Sequence, residues 1–146
     1  MADTRMNRSE REAFLADVHI GILAISREDE GAAPLAAPIW YGYRPAGEIE
    51  VITGRNSRKG RLLVNGRAVT LVAQTETPPY RYVSVEGSVS AIRPAEVERD
   101  LRPMARRYLG VRGGDQYADA SSGEDSVLVS ITPERWLTVD YGKADG

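Results

Sequence analysis

The amino-acid sequence predicts a mainly β protein, a small closed or partly closed β-barrel decorated with small helices. Three observations carry this expectation. Six or seven segments rich in Val, Ile, Thr and Tyr are separated by turns that contain Gly, Pro or Asn. Helical patterns are confined to three short stretches, too few for a bundle. Strands and helices do not alternate as they would in a doubly wound parallel sheet.

The elements follow in order. Ser9-Glu10-Arg11-Glu12 has capping-box spacing, with Ser9 as N-cap and Glu12 at N3. It predicts a helix from about Glu10 to Ala16 that buries Phe14 and Leu15, and residues 1–8 ahead of it are expected to be disordered. Val18 to Ile25 reads as a first strand, and the acidic, Gly-containing run from Glu28 to Ala33 as a turn. Leu35 to Tyr43 is a second strand, Arg44-Pro45-Ala46-Gly47 a hairpin connection, and Glu48 to Thr53 a third strand with Ile49, Val51 and Thr53 on one face. After a short basic helix, Asn65-Gly66 turns the chain into a fourth strand, Ala68 to Gln74. Thr77-Pro78-Pro79 breaks it, and Tyr80 to Ile92 forms a long fifth strand. Pro94 to Leu109 is helical, with Val97, Leu101, Met104 and Tyr108 on one face and Pro103 dividing it into two short helices. Val111 to Asp125 reads as a flexible loop, Ser126 to Ile131 as a sixth strand, Thr132-Pro133 as a turn and Trp136 to Tyr141 as a seventh strand.

Composition removes several function classes. The chain has 146 residues, which suits a single domain over 1–146, and 42% of them are hydrophobic, enough for a core. A net charge of −2 gives no global basic field to draw the protein to nucleic acid or an anionic membrane surface. Cysteine is absent, which excludes disulfides, thiolate nucleophiles and sulfur metal sites. The one histidine, His19, lies in an apolar stretch and reads as structural, so neither a Ser-His-Asp triad nor a His-based metal site is expected. No signal peptide and no membrane-spanning run are visible, and a cytoplasmic protein is expected. An enzyme built this way would take its chemistry from a bound organic cofactor.

The most informative stretch is Ile52-Thr53-Gly54-Arg55-Asn56-Ser57-Arg58-Lys59-Gly60-Arg61. An apolar strand runs into a turn, and Arg55, Arg58, Lys59 and Arg61 crowd where a short helix begins. A helix start offers unpaired N–H groups and a partial positive charge, Ser57 adds a hydroxyl, and Arg58 and Lys59 add full charges. Together they make a phosphate-bearing ligand the leading idea, although such runs are also found on solvated helix faces.

The Thr53-x-x-x-Ser57-Arg58-Lys59-Gly60-x-x-Leu63 pattern resembles the flavin-phosphate motif of pyridoxamine 5′-phosphate oxidases. Arg81-Tyr82-Val83-Ser84-Val85-Glu86-Gly87 is similar to that family's Val-Glu-Gly strand. Ala36-Ala37-Pro38-Ile39-Trp40-Tyr41 stands where the family lays backbone along the flavin ring. Shorter relatives, the flavin/deazaflavin oxidoreductases, share the Pro-Ile-Trp-Tyr strand and the Thr53, Arg55, Ser57, Lys59 run. The resemblance covers roughly residues 9–140.

The resemblance implies an FMN-binding-like split β-barrel, a homodimer with cofactor clefts at its interface, and a deazaflavin (F420) or FMN cofactor. It implies hydride transfer from reduced F420 to a small conjugated substrate. An FMN-binding oxidoreductase and a non-catalytic F420- or flavin-binding protein are the alternatives. Ser57 and backbone N–H groups would bind the phosphate, Arg58 and Lys59 would neutralise it, and Arg55 would reach the phosphate or the acidic F420 tail. The backbone of Pro38, Ile39 and Trp40 would border the ring, with Trp40 walling the pocket. Ile52 and Thr53 would flank the phosphate or ribityl chain. Tyr82 would approach the cofactor or fill the core. Glu86 and Gly87 read as marks of a strand bend, and Trp136 and Tyr141 as core residues or as residues that reach the partner subunit's cleft. No catalytic residue and no metal ligand is identified. The C-terminal Arg-x-His that holds the substrate of pyridoxamine phosphate oxidases is missing from Arg135 to Tyr141, so vitamin B6 oxidation is not expected.

Overall fold

A computed structural model describes residues 2–29, 31–121 and 125–145. Seven strands make one antiparallel sheet: β1 Gly21–Ile25, β2 Leu35–Ile39, β3 Gly42–Tyr43, β4 Ile49–Gly54, β5 Ala68–Gln74, β6 Arg81–Pro94 and β7 Ser126–Asp140. Their order is β2-β1-β5-β6-β7-β4-β3. Three helices decorate it: α1 Arg8–Ala16, α2 Arg58–Leu62 and α3 Arg102–Asp119. A π-helical turn, Val97–Leu101, leads into α3.

The order forces the sheet to curl. β2 and β3 are its two outermost strands, yet only Trp40 and Tyr41 join them. Three residue steps span at most about 11 Å. Seven strands laid flat would separate the edges by about 29 Å, at about 4.8 Å per gap. The edges must therefore approach each other, and with β3 only two residues long the seam stays open as a split barrel. Period-two alternation then divides the faces. Leu23, Ile25, Ile49, Val51, Leu71, Ala73, Val83, Val85, Val129 and Ile131 fill the interior, and Phe14 and Leu15 of α1 pack onto it.

Leu35 to Tyr43, expected as one strand, is split at Trp40 and Tyr41 into β2 and β3, and three further boundaries differ for definable reasons. The helix cap is Asn7, not Ser9: Asn7 and Glu10 form a reciprocal capping box two residues earlier. The first eight residues were expected to be disordered, but residues 4–6 run beside β7: Asp140 N–H donates to Thr4 O at 2.7 Å, Met6 N–H donates to Thr138 Oγ1 at 2.9 Å, and the Met6 side chain is buried. The sixth and seventh strands are one strand, β7. Pro133 does not break it because it falls at a bulge, where the register moves from Glu86↔Arg135 to Gly87↔Pro133. Gly87 is needed there, since the Thr132 carbonyl occupies the space of a Cβ.

The largest departure is the segment read as a loop from Val111 to Asp125. Ser122, Gly123 and Glu124 lie outside the described residues, as does Glu30 of the turn expected at 28–33. Residues 111–119 are helical and belong to α3, which kinks at Gly110, the break permitted by its φ of 77°. Arg102 and Asp119 would stand about 25 Å apart on a straight helix. Instead Arg102 bonds Asp119 at 2.7 Å and Asp115 at 2.9 Å, with Arg106 also on Asp115 at 2.8 Å. α3 is thus a helical hairpin with an inner arm, residues 102–109, and an outer arm, residues 111–119. The arms approach so closely that a Cβ on Gly114 would overlap the Arg106 backbone. Gly114→Ala is therefore expected to destabilise the protein by about 1–3 kcal/mol and to speed amide exchange in 111–119, read from urea melts and hydrogen-exchange mass spectrometry.

Candidate cofactor site

β4 ends in the sequence that begins the site. Thr53 faces the barrel interior and is 8% exposed. Gly54 and Arg55 turn the chain, and Ser57 caps α2. The Ser57 hydroxyl accepts from Gly60 N–H at 3.0 Å and donates to Gly54 O at 2.7 Å, with Thr53 Oγ1 at 3.1 Å. Gly60 is obligatory, because the Gly54 and Arg55 carbonyls fill the position of a Cβ. The result is a tight turn that presents the backbone N–H groups of Arg58 and Lys59 together with their side chains.

The charges at this turn differ in availability. Arg55 is bracketed to Asp125: its N–H donates to Asp125 O at 2.9 Å and its Nε to Asp125 Oδ1 at 2.9 Å. Arg58, Lys59 and Arg61 have no carboxylate within ion-pair distance among the described residues. The sequence expectation for this cluster is thus altered at two residues. Ser57 spends its hydroxyl proton inside the turn rather than toward a ligand, and Arg55 is already partly neutralised. What remains for an anion is the pair of N–H groups and the cations of Arg58 and Lys59, a donor set that suits a phosphate.

The other expected residues fall into two places. Ile52 points outward from β4 opposite Leu128, next to the turn. Pro38, Ile39 and Trp40 lie on the edge strand β2 and the link that crosses the seam to β3. A proline fits an edge strand because its missing N–H costs no ladder bond there. Tyr82 is elsewhere. Its partner on β7 is Val139, whereas Thr53 pairs with Val127, so about 40 Å of strand separates them at about 3.3 Å per residue. Within one chain Tyr82 does not join the Ser57 turn. It shares the outer face with Pro38 instead, through the cross-strand row Pro38, Ile22, Val72, Ser84 and Leu137.

Sequence reading missed the contribution of α3. Trp40 stacks on Tyr108, with ring centroids 5.0 Å apart and planes 6° from parallel, and lies at 5.3 Å from Tyr117. The Tyr108 hydroxyl takes the Tyr41 N–H at 3.0 Å and reaches the carbonyls of His19 at 2.7 Å and Tyr41 at 3.1 Å. The sequence places Tyr108 only on a helix face, and the Gly- and Asp-rich composition around Tyr117 hides it. His19 is structural: Nε2–H donates to Phe14 O at 3.0 Å, the ring stacks on Phe14, and burial holds the imidazole below its ordinary pKa. The Tyr41 phenol, donating to Leu15 O at 2.7 Å, is pushed well above its ordinary range by burial and is no proton source near neutrality. Trp136 packs edge-on to Tyr43 beside the core, whereas Tyr141, read as core, is half exposed.

Gly60→Ala is expected to displace α2 from the end of β4 with the barrel intact. Fluorescence titration with a phosphate-bearing probe such as FMN should then show an affinity loss of about tenfold or more.

Comparison with known proteins gives consistent findings. A sequence profile described as pyridoxamine 5′-phosphate oxidase matches residues 8–140. Curated protein sequences give no significant match. Among solved structures, a conserved hypothetical protein, Rv2991 from Mycobacterium tuberculosis, superposes with a TM-score of 0.74 at 25% identity, covering 100% of this chain and 92% of that one. A structure described as an F420 reductase aligns with a TM-score of 0.61 at 22% identity, covering 86% and 94%. An FAD- and heme-binding protein from Mycobacterium smegmatis aligns with a TM-score of 0.66 at 15% identity, covering 94% and 73%.

Proposed function

The chain belongs to the pyridoxamine 5′-phosphate oxidase family, and from that premise we propose that it is an oxidoreductase that binds the deazaflavin F420 and acts on a small conjugated organic substrate. The observation that carries the reading is the Thr53–Gly60 turn. It combines two N–H groups at the start of α2, two cations without carboxylate partners among the described residues, and a glycine that admits no side chain. This donor set fits the phosphate of F420 or FMN. The F420 reductase among the structures of similar fold supports the first choice. The FAD-binding neighbour keeps an FMN- or flavin-binding oxidoreductase as the second, and a protein that only sequesters the cofactor as the third.

When bound, the deazaflavin supplies a hydride for an electron-poor double bond. The chain's residues have simpler tasks. Arg58 and Lys59 neutralise the phosphate and, with their N–H groups, fix its position. Ser57 and Thr53 hold the turn in shape. Ile52 would flank the chain that leads from phosphate to ring, and the edge of Pro38, Ile39 and Trp40 would border the ring. Holding the reacting atoms about 3–3.5 Å apart in a dry cleft then accounts for most of the rate. No histidine or metal ligand is required for this work.

A homodimer completes the reading. The outer face that carries Pro38 and Tyr82 also exposes Ile20, Ile22 and Leu137, each at least 41% accessible. An apolar patch of this kind on a small barrel calls for cover. A two-fold partner seated there would bring a second Tyr82 toward the ring edge, which the fold of one chain does not do. Light scattering at micromolar concentration is expected to give the mass of a dimer, and Leu137→Asp is expected to give a monomer.

The cofactor assignment is tested by titrating the purified protein with F420 and with FMN. F420 is expected to bind more tightly, and Arg58→Ala with Lys59→Ala to weaken it by about tenfold or more per residue. An unchanged dissociation constant for both cofactors in the double variant would remove the phosphate assignment. FMN binding with oxygen consumption would favour the flavin reading.

A further inference from the structure

The cationic turn carries a carboxylate as well as cations. Arg55, Arg58, Lys59 and Arg61 fall within seven residues. Of these four, Arg55 alone has a carboxylate at ion-pair distance among the described residues: its Nε donates to Asp125 Oδ1 at 2.9 Å. The pair is exposed, with 46% of the Arg55 side chain and 60% of the Asp125 side chain accessible. An ion pair so open to water adds little to stability. Its consequence is electrostatic.

The backbone of both residues is held without the ion pair. Gly54 pairs with Ser126 at the last rung of the β4–β7 ladder. The Arg55 N–H extends that ladder by donating to Asp125 O at 2.9 Å, and Ser126 O accepts from Ala95 N–H at 2.9 Å. The Arg55 carbonyl lies in the space that a Cβ on Gly60 would take, which closes the turn beneath it. Only the two side chains are free to change partners. A guanidinium bonded to a carboxylate presents little net charge to a third ion, and the carboxylate itself repels an anion. Arg55 is therefore open only to a ligand group that can compete with Asp125.

Resting on the phosphate assignment above, we infer that Asp125 sets which anions this turn accepts. A ligand with a single phosphate is held by Arg58 and Lys59, against the repulsion of Asp125. A ligand with further carboxylates beyond its phosphate draws Arg55 away from Asp125 and gains a third cation. Asp125 thus acts through Arg55, without touching the ligand, and biases the site toward the more highly charged cofactor.

The test titrates FMN and F420 into the full chain and its variants at low ionic strength. Asp125→Asn removes the charge and keeps an acceptor for Arg55. It is expected to tighten FMN by about threefold. The gain should vanish in about 1 M NaCl, where the screening length falls to about 3 Å. Tightening is the telling sign, because losing a merely structural contact would loosen the turn and weaken binding. Arg55→Ala is expected to leave the FMN dissociation constant within about twofold in the wild-type background, to cancel the gain in Asp125→Asn, and to weaken F420 by about fivefold. FMN binding that is unchanged or weaker in both Asp125→Asn and Asp125→Ala overturns the proposal. So does an Arg55→Ala loss as large for FMN as for F420, since Arg55 would then already hold the phosphate. Inorganic pyrophosphate, read by the rise it causes in thermal midpoint, gives the same comparison without a cofactor, and the rise should be larger in Asp125→Asn. Failure of both F420 and FMN to bind the unmutated chain would count against the cofactor reading, and the pyrophosphate comparison would still decide the role of Asp125.

Discussion

Everything in this fold follows from a two-residue tether. Trp40 and Tyr41 connect the strands at opposite ends of a seven-stranded order, and no flat sheet satisfies that connection. The sheet must roll until its edges meet. Rolling buries one face of every strand and leaves an open seam where β2 faces a two-residue β3. The seam leaves the edge strand β2 with an unpaired side, and the tether that makes it also carries Trp40 to its rim. Fold and candidate site are two results of one geometric restriction.

The tether is itself clamped. Tyr41 is fully buried, and its hydroxyl donates to Leu15 O on α1. Its backbone N–H and carbonyl both meet the hydroxyl of Tyr108 on α3. The Arg107 guanidinium lies over the Tyr41 and Tyr108 rings and fills the carbonyl end of α1. Two helices far apart in sequence therefore fix the same residue pair from either side. Buried aromatic rings with satisfied hydroxyls make such a junction stiff. A rigid rim is what a site that relies on alignment, rather than on acid–base groups, requires.

Much of this was legible in the sequence because the signals were local. Ala68 to Gln74 alternates cleanly and is a strand over that same span, and Ser57 ahead of Arg58 and Lys59 caps a helix as its hydroxyl suggests. The Thr53-to-Gly60 spacing identified the turn and the family together. The failures were non-local. Pro133 looked like a break because the bulge that accommodates it is set by Gly87, forty-six residues earlier. Residues 111–119 looked like a loop because Gly113, Gly114 and Asp115 lower helix propensity. Arg102 and Arg106 tie that arm back across the kink at Gly110, a pairing that local helix propensity does not register. The roles of Ser57 and Arg55 were blurred for the same reason, since the Ser57 proton goes to Gly54 O and the Arg55 guanidinium is bonded to Asp125. Tyr82 entered the site by motif alone, and the strand ladder places it at the other end of β7.

The position of β7 in the order has a consequence for how the molecule is made. It joins β6 to β4, and without it the sheet falls into a four-stranded piece, β2-β1-β5-β6, and the β3-β4 hairpin. β7 follows every other strand in the chain. During vectorial synthesis the hairpin that bears the Ser57 turn therefore has no neighbouring strand until residues 126–131 emerge. The N-terminal helix and first strands can condense early, but the Ser57 turn gains its strand neighbour only at the end. Until then a nascent chain holds at most two separate sheet pieces, and both the barrel and its candidate site are closed by the last strand to emerge.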